Sequence, residues 1–213
     1  MKDKIKKYII KNLKWIILFV CLIGFLALAE DVFNKELMKG DVIGYKLIST
    51  YLISDFATPI AKFITNFGGA IFLISIAIIL FVAIKNKKTG ATVVTNLVII
   101  TIINQLLKRI LQRPRPEEFR IINETGYSFP SGHSMVSMAF YGYLIYLIYK
   151  NVKNKYLKWT LIVLLSVLIC AIGISRIYLG VHYTSDVLAG FLISISYLVI
   201  YISVVNKFVL EKE

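Results

Sequence analysis

Six apolar stretches, at about residues 15–29, 69–84, 91–107, 135–149, 159–174 and 187–205, decide what this chain of 213 residues can fold into. A membrane-spanning helix needs about 20 apolar residues, so six would use about 120. That is close to the whole apolar complement of a chain that is 58% hydrophobic. Two soluble domains are thereby excluded. So is disorder, because 13% aromatic residues and long Ile/Leu/Val runs are the opposite of a composition that cannot bury itself. Twelve glycines and two cysteines exclude collagen-like and disulfide-rich classes. Cys21 and Cys170 both lie inside apolar runs, where a thiol behaves as a small hydrophobe. The expected fold is all-α: one integral membrane domain over residues 1–213, a bundle of six transmembrane helices.

The net charge of +13 would suggest nucleic acid in a soluble chain, but in a membrane chain it reports topology. Six spans put 15 of the 25 lysines and arginines on the side of the termini, six of them in residues 1–14, and ten on the other side. Nine of the twelve acidic residues accompany those ten. Both termini are therefore expected in the cytoplasm. A Lys-rich start followed by an apolar run and Ala27-Leu28-Ala29 also resembles a secretory signal. The long basic region and long apolar run favour a retained first span. Between the first two spans, Tyr45, Ile48, Leu52, Phe56, Ile60, Ile64 and Phe67 recur at three- or four-residue intervals. This predicts a short amphipathic helical segment, lying in the interface or packed on the bundle.

The chain has two histidines, each at the edge of a span. His133 ends Pro130-Ser131-Gly132-His133, which also reads as a proline turn followed by a serine helix cap. His182 and Asp186 are four apart, so on a helix they would share a face and Asp186 could hold one ring nitrogen. Lys108, Arg109, Arg113, Arg115 and Arg120 follow the third span, relieved only by Glu117, Glu118 and Glu124, on the side where basic residues are normally sparse. Pro114 and Pro116 limit helical extension there. The basic cluster shares a loop with His133, and two spans separate His133 from His182. All three groups therefore emerge on one membrane face, whichever way the chain is oriented. Many donors with little metal-binding capacity suit an anionic group such as phosphate.

Lys108-x6-Arg115-Pro116, Pro130-Ser131-Gly132-His133 and Ser175-Arg176-x5-His182-x3-Asp186 resemble, in order and at full spacing, the three signature motifs of the type 2 phosphatidic acid phosphatase superfamily. The resemblance covers about residues 40–206 and is to the membrane branch; the soluble haloperoxidase branch does not match this hydropathy. It implies that His182 attacks phosphorus and forms a phosphohistidine, that Asp186 fixes its tautomer, and that His133 protonates the leaving oxygen. Lys108, Arg115, Ser131, Gly132 and Arg176 would hold the phosphoryl oxygens. No metal or other cofactor is implied. Arg109, Arg113 and Arg120 lie outside the matched positions.

The expected activity is hydrolysis of a membrane lipid phosphate: phosphatidylglycerophosphate, phosphatidate or undecaprenyl pyrophosphate. The site is expected on the extracytoplasmic face of the cell membrane, with lipid rather than nucleic acid as partner. Two alternatives stand beside it. A lipid phosphotransferase would use the same phosphohistidine, and a non-enzymatic transporter or adaptor would leave the three motifs unexplained.

Overall fold

A computed structural model of the chain describes residues 2–35, 38–117 and 120–210. They form eight helices: α1 (Lys2–Phe33), α2 (Lys39–Tyr51), α3 (Ala57–Asn66), α4 (Ala70–Ala83), α5 (Lys87–Leu111), α6 (Gly132–Asn151), α7 (Lys155–Tyr178) and α8 (Thr184–Val205). The last extends through a π-helical turn, Asn206–Leu210. Each apolar stretch forms the body of a separate helix, α1 or one of α4 to α8. Local chemistry sets the ends. Asn86, Ser131 and Asn154 cap α5, α6 and α7, each accepting from a backbone N–H three residues on. Such a cap is worth about 1 kcal/mol. At the other end of α5, Gln112 turns left-handed with φ 43° and its N–H closes on the Lys108 carbonyl. Pro114 then disfavours a helical Arg113.

The six-span count is not confirmed. Among the described residues four segments are long and apolar enough to cross a membrane: Asn12–Phe33, Lys87–Leu111, Lys155–Tyr178 and Thr184–Val209. A fifth is reached only if α3 and α4, bent by 47°, count as one span. The 14 residues of α4 reach roughly 21 Å at about 1.5 Å per residue, short of a hydrocarbon core of about 30 Å. The 20-residue α6 is long enough but too polar, because it buries Ser134, Ser137, Tyr141 and Tyr143. It packs against α5, α7 and α8, so its sequence answers to neighbouring helices more than to lipid.

The amphipathic segment is also corrected. It is two helices, α2 and α3, interrupted at residues 52–56, and its stripe does not share one face. Tyr45, Ile48, Ile64 and Phe67 are half-buried, whereas Leu52, Phe56 and Ile60 are exposed. The hydroxyl of Ser54 accepts from Ala57 N at 3.1 Å to restart the helix. Pro59 then sits in the first turn of α3, where a missing N–H is tolerated. Helix α2 rests on α7 and α8, and α3 on α7.

Leu73, Val93, Phe140, Tyr143 and Ile172 form the centre of the main core. Hydroxyl pairs tie the helices: Thr92 with Tyr143 and Thr95 with Tyr201, both at 2.7 Å. Such bonds contribute about 0.6 kcal/mol each in a bilayer. Outward-facing Val20, Ile23, Ile79, Val82 and Val167 form apolar surface that water would not tolerate and lipid would cover. The chain is a multi-pass membrane protein. Helices α5 and α7 end, and α6 and α8 begin, at one end of the bundle, so the 112–131 and 179–183 connections meet there. Gly190 lets α8 approach the first turn of α6 closely: a Cβ there would lie 3.1 Å from both Met135 N and Ser131 O.

Candidate active site

All eight motif residues gather at that end. His182 lies in the short connection before α8, preceding the helix rather than sharing a face of it. Its Nδ1 is 3.3 Å from Asp186 Oδ2, and its Nε2 is 3.1 Å from Arg115 Nη1. A guanidinium can only donate, so Nε2 accepts and the ring proton resides on Nδ1, donated to Asp186. The neutral tautomer thus carries its lone pair on the nitrogen facing the cations. Burial pushes the His182 pKa from 6.5 down to about 4, against the opposing pull of Asp186. The imidazole is therefore neutral at neutral pH.

Arg115 is held by three backbone carbonyls, of Thr125, Gly126 and Val181, each at 3.0 Å. Lys108, buried on the last turns of α5, donates to the Tyr127 carbonyl. Its Cε lies 3.8 Å from where a Cβ on Gly132 would stand. Ser131 donates its backbone N–H to the Asp186 carbonyl at 3.0 Å, which joins the α6 turn to α8. Its hydroxyl is 2.9 Å from that of Ser134. The first turn of α6 therefore points its amides and positive dipole end into the site.

Arg176 is 1% exposed. Its Nη1 donates to Thr65 Oγ1 at 2.7 Å and its Nη2 to Glu124 Oε1 at 2.6 Å. Its Nε has no partner among the described residues. Burial alone would raise the Glu124 pKa, but the Arg176 hydrogen bond and charge hold it below the usual carboxylate range. His133 lies within the electrostatic reach of Arg176, Glu124, His182 and Arg115. No described residue hydrogen-bonds its ring. Gly68, after α3, passes close beside it: a Cβ there would meet Ile172 Cγ2 and Ser137 Oγ at 2.8 Å and His133 Cδ2 at 3.2 Å.

Two charged residues were missed and one was set aside. Arg113 is turned inward, its side chain 10% exposed, and bridges Asp186 to Asp41 of α2, at 2.7 Å each. Arg109 and Arg120 are exposed. A signal was present for Arg113: in extended chain alternate residues point the same way, and Arg113 and Arg115 flank an exposed Pro114. Nothing near Asp41 marks it, and Glu124 looked like mere relief of a basic cluster. A cavity of about 1140 Å³ with Lys14, Met138, Ile169 and Lys207 among its lining lies at the other end of the bundle and contains no motif residue.

The fold and the motif-bearing segment can be set beside known proteins. Phosphatidylglycerophosphatase B of Bacillus subtilis is 35% identical over 133 residues, covering 60% of this chain and 65% of that protein. The matched stretch thus spans just under two thirds of that relative's length. Undecaprenyl-diphosphatase of Sulfolobus acidocaldarius is 28% identical over 169 residues, covering 76% of this chain and 73% of the relative. Among solved structures, a transmembrane PAP2-type phosphatidylglycerolphosphate phosphatase from Bacillus subtilis superposes with a TM-score of 0.80 at 26% identity, covering 90% of this chain and 96% of that one. The PAP2 superfamily profile matches residues 89–210, more than half of the chain and all three motifs. The chain belongs to the PAP2 superfamily.

Proposed function

We propose that the chain hydrolyses the phosphate of a membrane lipid through a phosphohistidine on His182. The observation that carries this reading is the tautomer of His182. Its Nδ1 proton is committed to Asp186, and its Nε2 lone pair faces Arg115 within a set of buried cations. In the proposed first step Nε2 attacks phosphorus as the bond from phosphorus to the lipid oxygen breaks, and His133 gives that oxygen a proton. Asp186 stabilises the imidazolium that forms. In the second step water attacks the phosphohistidine, its proton passes to His133, the P–N bond breaks, and inorganic phosphate leaves. Lys108, Arg115 and Arg176, with the Ser131 hydroxyl and the Gly132 amide, are assigned to the phosphoryl oxygens and their growing charge. The unpartnered Arg176 Nε supports this, since a buried donor needs an acceptor and a phosphoryl oxygen would supply one.

The relatives are named for phosphatidylglycerophosphate and undecaprenyl diphosphate, and these are the proposed substrate class, together with phosphatidate. A site at the end of an apolar bundle suits a substrate that stays in the bilayer. The proposed orientation keeps both termini cytoplasmic and the site extracytoplasmic, supported by the lysine distribution. Phosphate release by purified protein in nanodiscs with excess EDTA, across the three lipids, tests the reading. Release that survives EDTA and vanishes in His182→Ala is expected. Release equal to wild type in that variant overturns the mechanism. Release that appears only on adding a hydroxyl acceptor, as a phosphorylated product, replaces hydrolase by phosphotransferase.

A further inference from the structure

Asp186 is fully buried and both oxygens of its carboxylate are engaged. Its Oδ2 takes the His182 ring and the Tyr183 N–H at 2.9 Å, and its Oδ1 takes Arg113 Nη1 at 2.7 Å. The same Nη1 is 2.7 Å from the Ser185 hydroxyl. The other fork of Arg113, Nη2, goes to Asp41 Oδ2 at 2.7 Å. Asp41 in turn accepts the Ser185 N–H at 2.7 Å and its hydroxyl at 2.9 Å. The Tyr183 ring stacks on the guanidinium, 4.0 Å from its carbon. Neither Arg113, in the spacer of the first motif, nor Asp41 is a defined motif position, and neither touches the phosphate-facing nitrogen of His182.

We propose that Asp41 and Arg113 are a positioning pair for the nucleophile, fixing the Asp186 carboxylate on His182 and tying the seating of α2 to the reactivity of the site. The inference rests on the reading of His182 as nucleophile. The planar fork holds two carboxylates from different helices in fixed directions, which the mobile ammonium of a lysine does less well. Asp41 joins α2 to the Asp186 carboxylate through the Arg113 guanidinium, and to the first turn of α8 directly through Ser185. Outer-shell hydrogen bonds that orient metal-ligating side chains are worth about 10- to 100-fold in activity, and the same scale is taken for this carboxylate.

The charged and titratable groups around His182 and Asp186 are Asp41 from α2, Lys108 from α5, Arg113, Arg115 and Glu124 from the long connection, His133 from α6, Arg176 from α7, and Tyr183. Among the described residues, Arg113 reaches His182 through the far oxygen of Asp186, and Asp41 does so through Arg113. Removing the Arg113 charge leaves Asp186 less compensated, which stabilises the imidazolium and moves the acid limb of kcat/KM to higher pH. Removing the Asp41 charge leaves Arg113 more fully on Asp186 and moves the limb to lower pH. Opposite shifts report that both charges reach His182, and Arg113→Lys, which keeps the charge and loses the fork, separates positioning from charge.

The experiment measures kcat, KM and the pH profile of phosphate release for wild type, Arg113→Gln, Arg113→Lys, Asp41→Asn and His182→Ala in nanodiscs, after size-exclusion shows monodisperse protein. Arg113→Gln is expected to lose about 10- to 100-fold in kcat with KM changed by less than about 3-fold, its acid limb rising by about half a pH unit. Asp41→Asn is expected to lose about 3- to 10-fold, with its limb falling. Arg113→Lys should restore the limb but only part of kcat. If Arg113→Gln does not fold, the fall in Asp41→Asn and the partial rescue in Arg113→Lys decide. Limbs that stay in place, or a wild-type kcat in Arg113→Lys, overturn the positioning pair while leaving the nucleophile reading intact. Wild-type turnover in His182→Ala overturns both.

Discussion

His182 and His133 occupy the same ring of cations but are held in different ways. His182 is 3% exposed and engaged at both nitrogens, and the carboxylate behind it is held by Arg113 and the Tyr183 N–H, with Ser185 and Asp41 holding Arg113 in turn. His133 is half-buried on the first turn of α6, bonded by no described residue and bounded on one side by the backbone of Gly68. On the proposed mechanism this difference is functional. A nucleophile gains from one fixed line of attack, since preorganisation removes reorganisation from the barrier. An acid must meet a leaving oxygen whose position depends on the lipid, and it gains from being less constrained.

The largest expected effect falls on the fixed side. His182→Ala should lower kcat by about 10⁴-fold or more, the scale of losing a nucleophile, with thermal stability near wild type. His133→Ala should cost less, about 10²- to 10⁴-fold, and the loss should shrink for a substrate with a more acidic leaving group. Equal losses for good and poor leaving groups would break the contrast, because only the acid should sense the leaving oxygen.

A pH profile sharpens it further. Burial depresses the His182 pKa from 6.5 to about 4, so the ring stays neutral as pH falls through the ordinary imidazole range. The acid limb of kcat/KM, which reports the free enzyme, is expected near pH 4 to 5 rather than 6.5, losing about tenfold per unit below it. A limb at 6.5 would place the essential base in a solvated setting. The sign for stability agrees: the unfolded chain takes up a proton below 6.5 that the folded one resists until about 4, so this contribution to stability is lost as pH falls through that window. The smallest effect belongs to Glu124, whose side chain is 30% exposed and competes for Arg176. Glu124→Gln should lower KM by about 2- to 3-fold with kcat nearly unchanged, as expected for a partly solvated ion pair. A raised KM would make Glu124 a substrate contact instead of a competitor.

The parts legible in the sequence were those whose signal is local. Ser131 caps α6 where the sequence offered a serine cap, the apolar runs of α1, α5, α7 and α8 have their own length, and the order of spans and motifs brings Lys108, Arg115, His133, Arg176 and His182 to one end. Periodicity failed at α2 and α3. A stripe read from Tyr45 to Phe67 assumes one continuous helix, and residues 52–56 interrupt it. The span count stays unconfirmed at α4 and α6, because burial against protein, unlike exposure to lipid, tolerates short and polar helices, so an apolar run there does not by itself fix a crossing. The Asp41–Arg113 pair was illegible for a different reason: its partners are 72 residues apart, and only the seating of α2 on α7 and α8 brings them together.

The central claim is that the phosphoryl group passes through His182, and rapid chemical quench with lipid labelled in the transferred phosphate tests it most directly. Trypsin cuts after Arg120, Lys150, Arg176 and Lys207, so His133 and His182 fall in separate peptides, residues 121–150 and 177–207. The expected result is acid-labile, alkali-stable label in the 177–207 peptide during turnover, absent from the 121–150 peptide and lost in His182→Ala. Turnover at wild-type rate with no label in the 177–207 peptide at any quench time, or label in the His133 peptide, would contradict it.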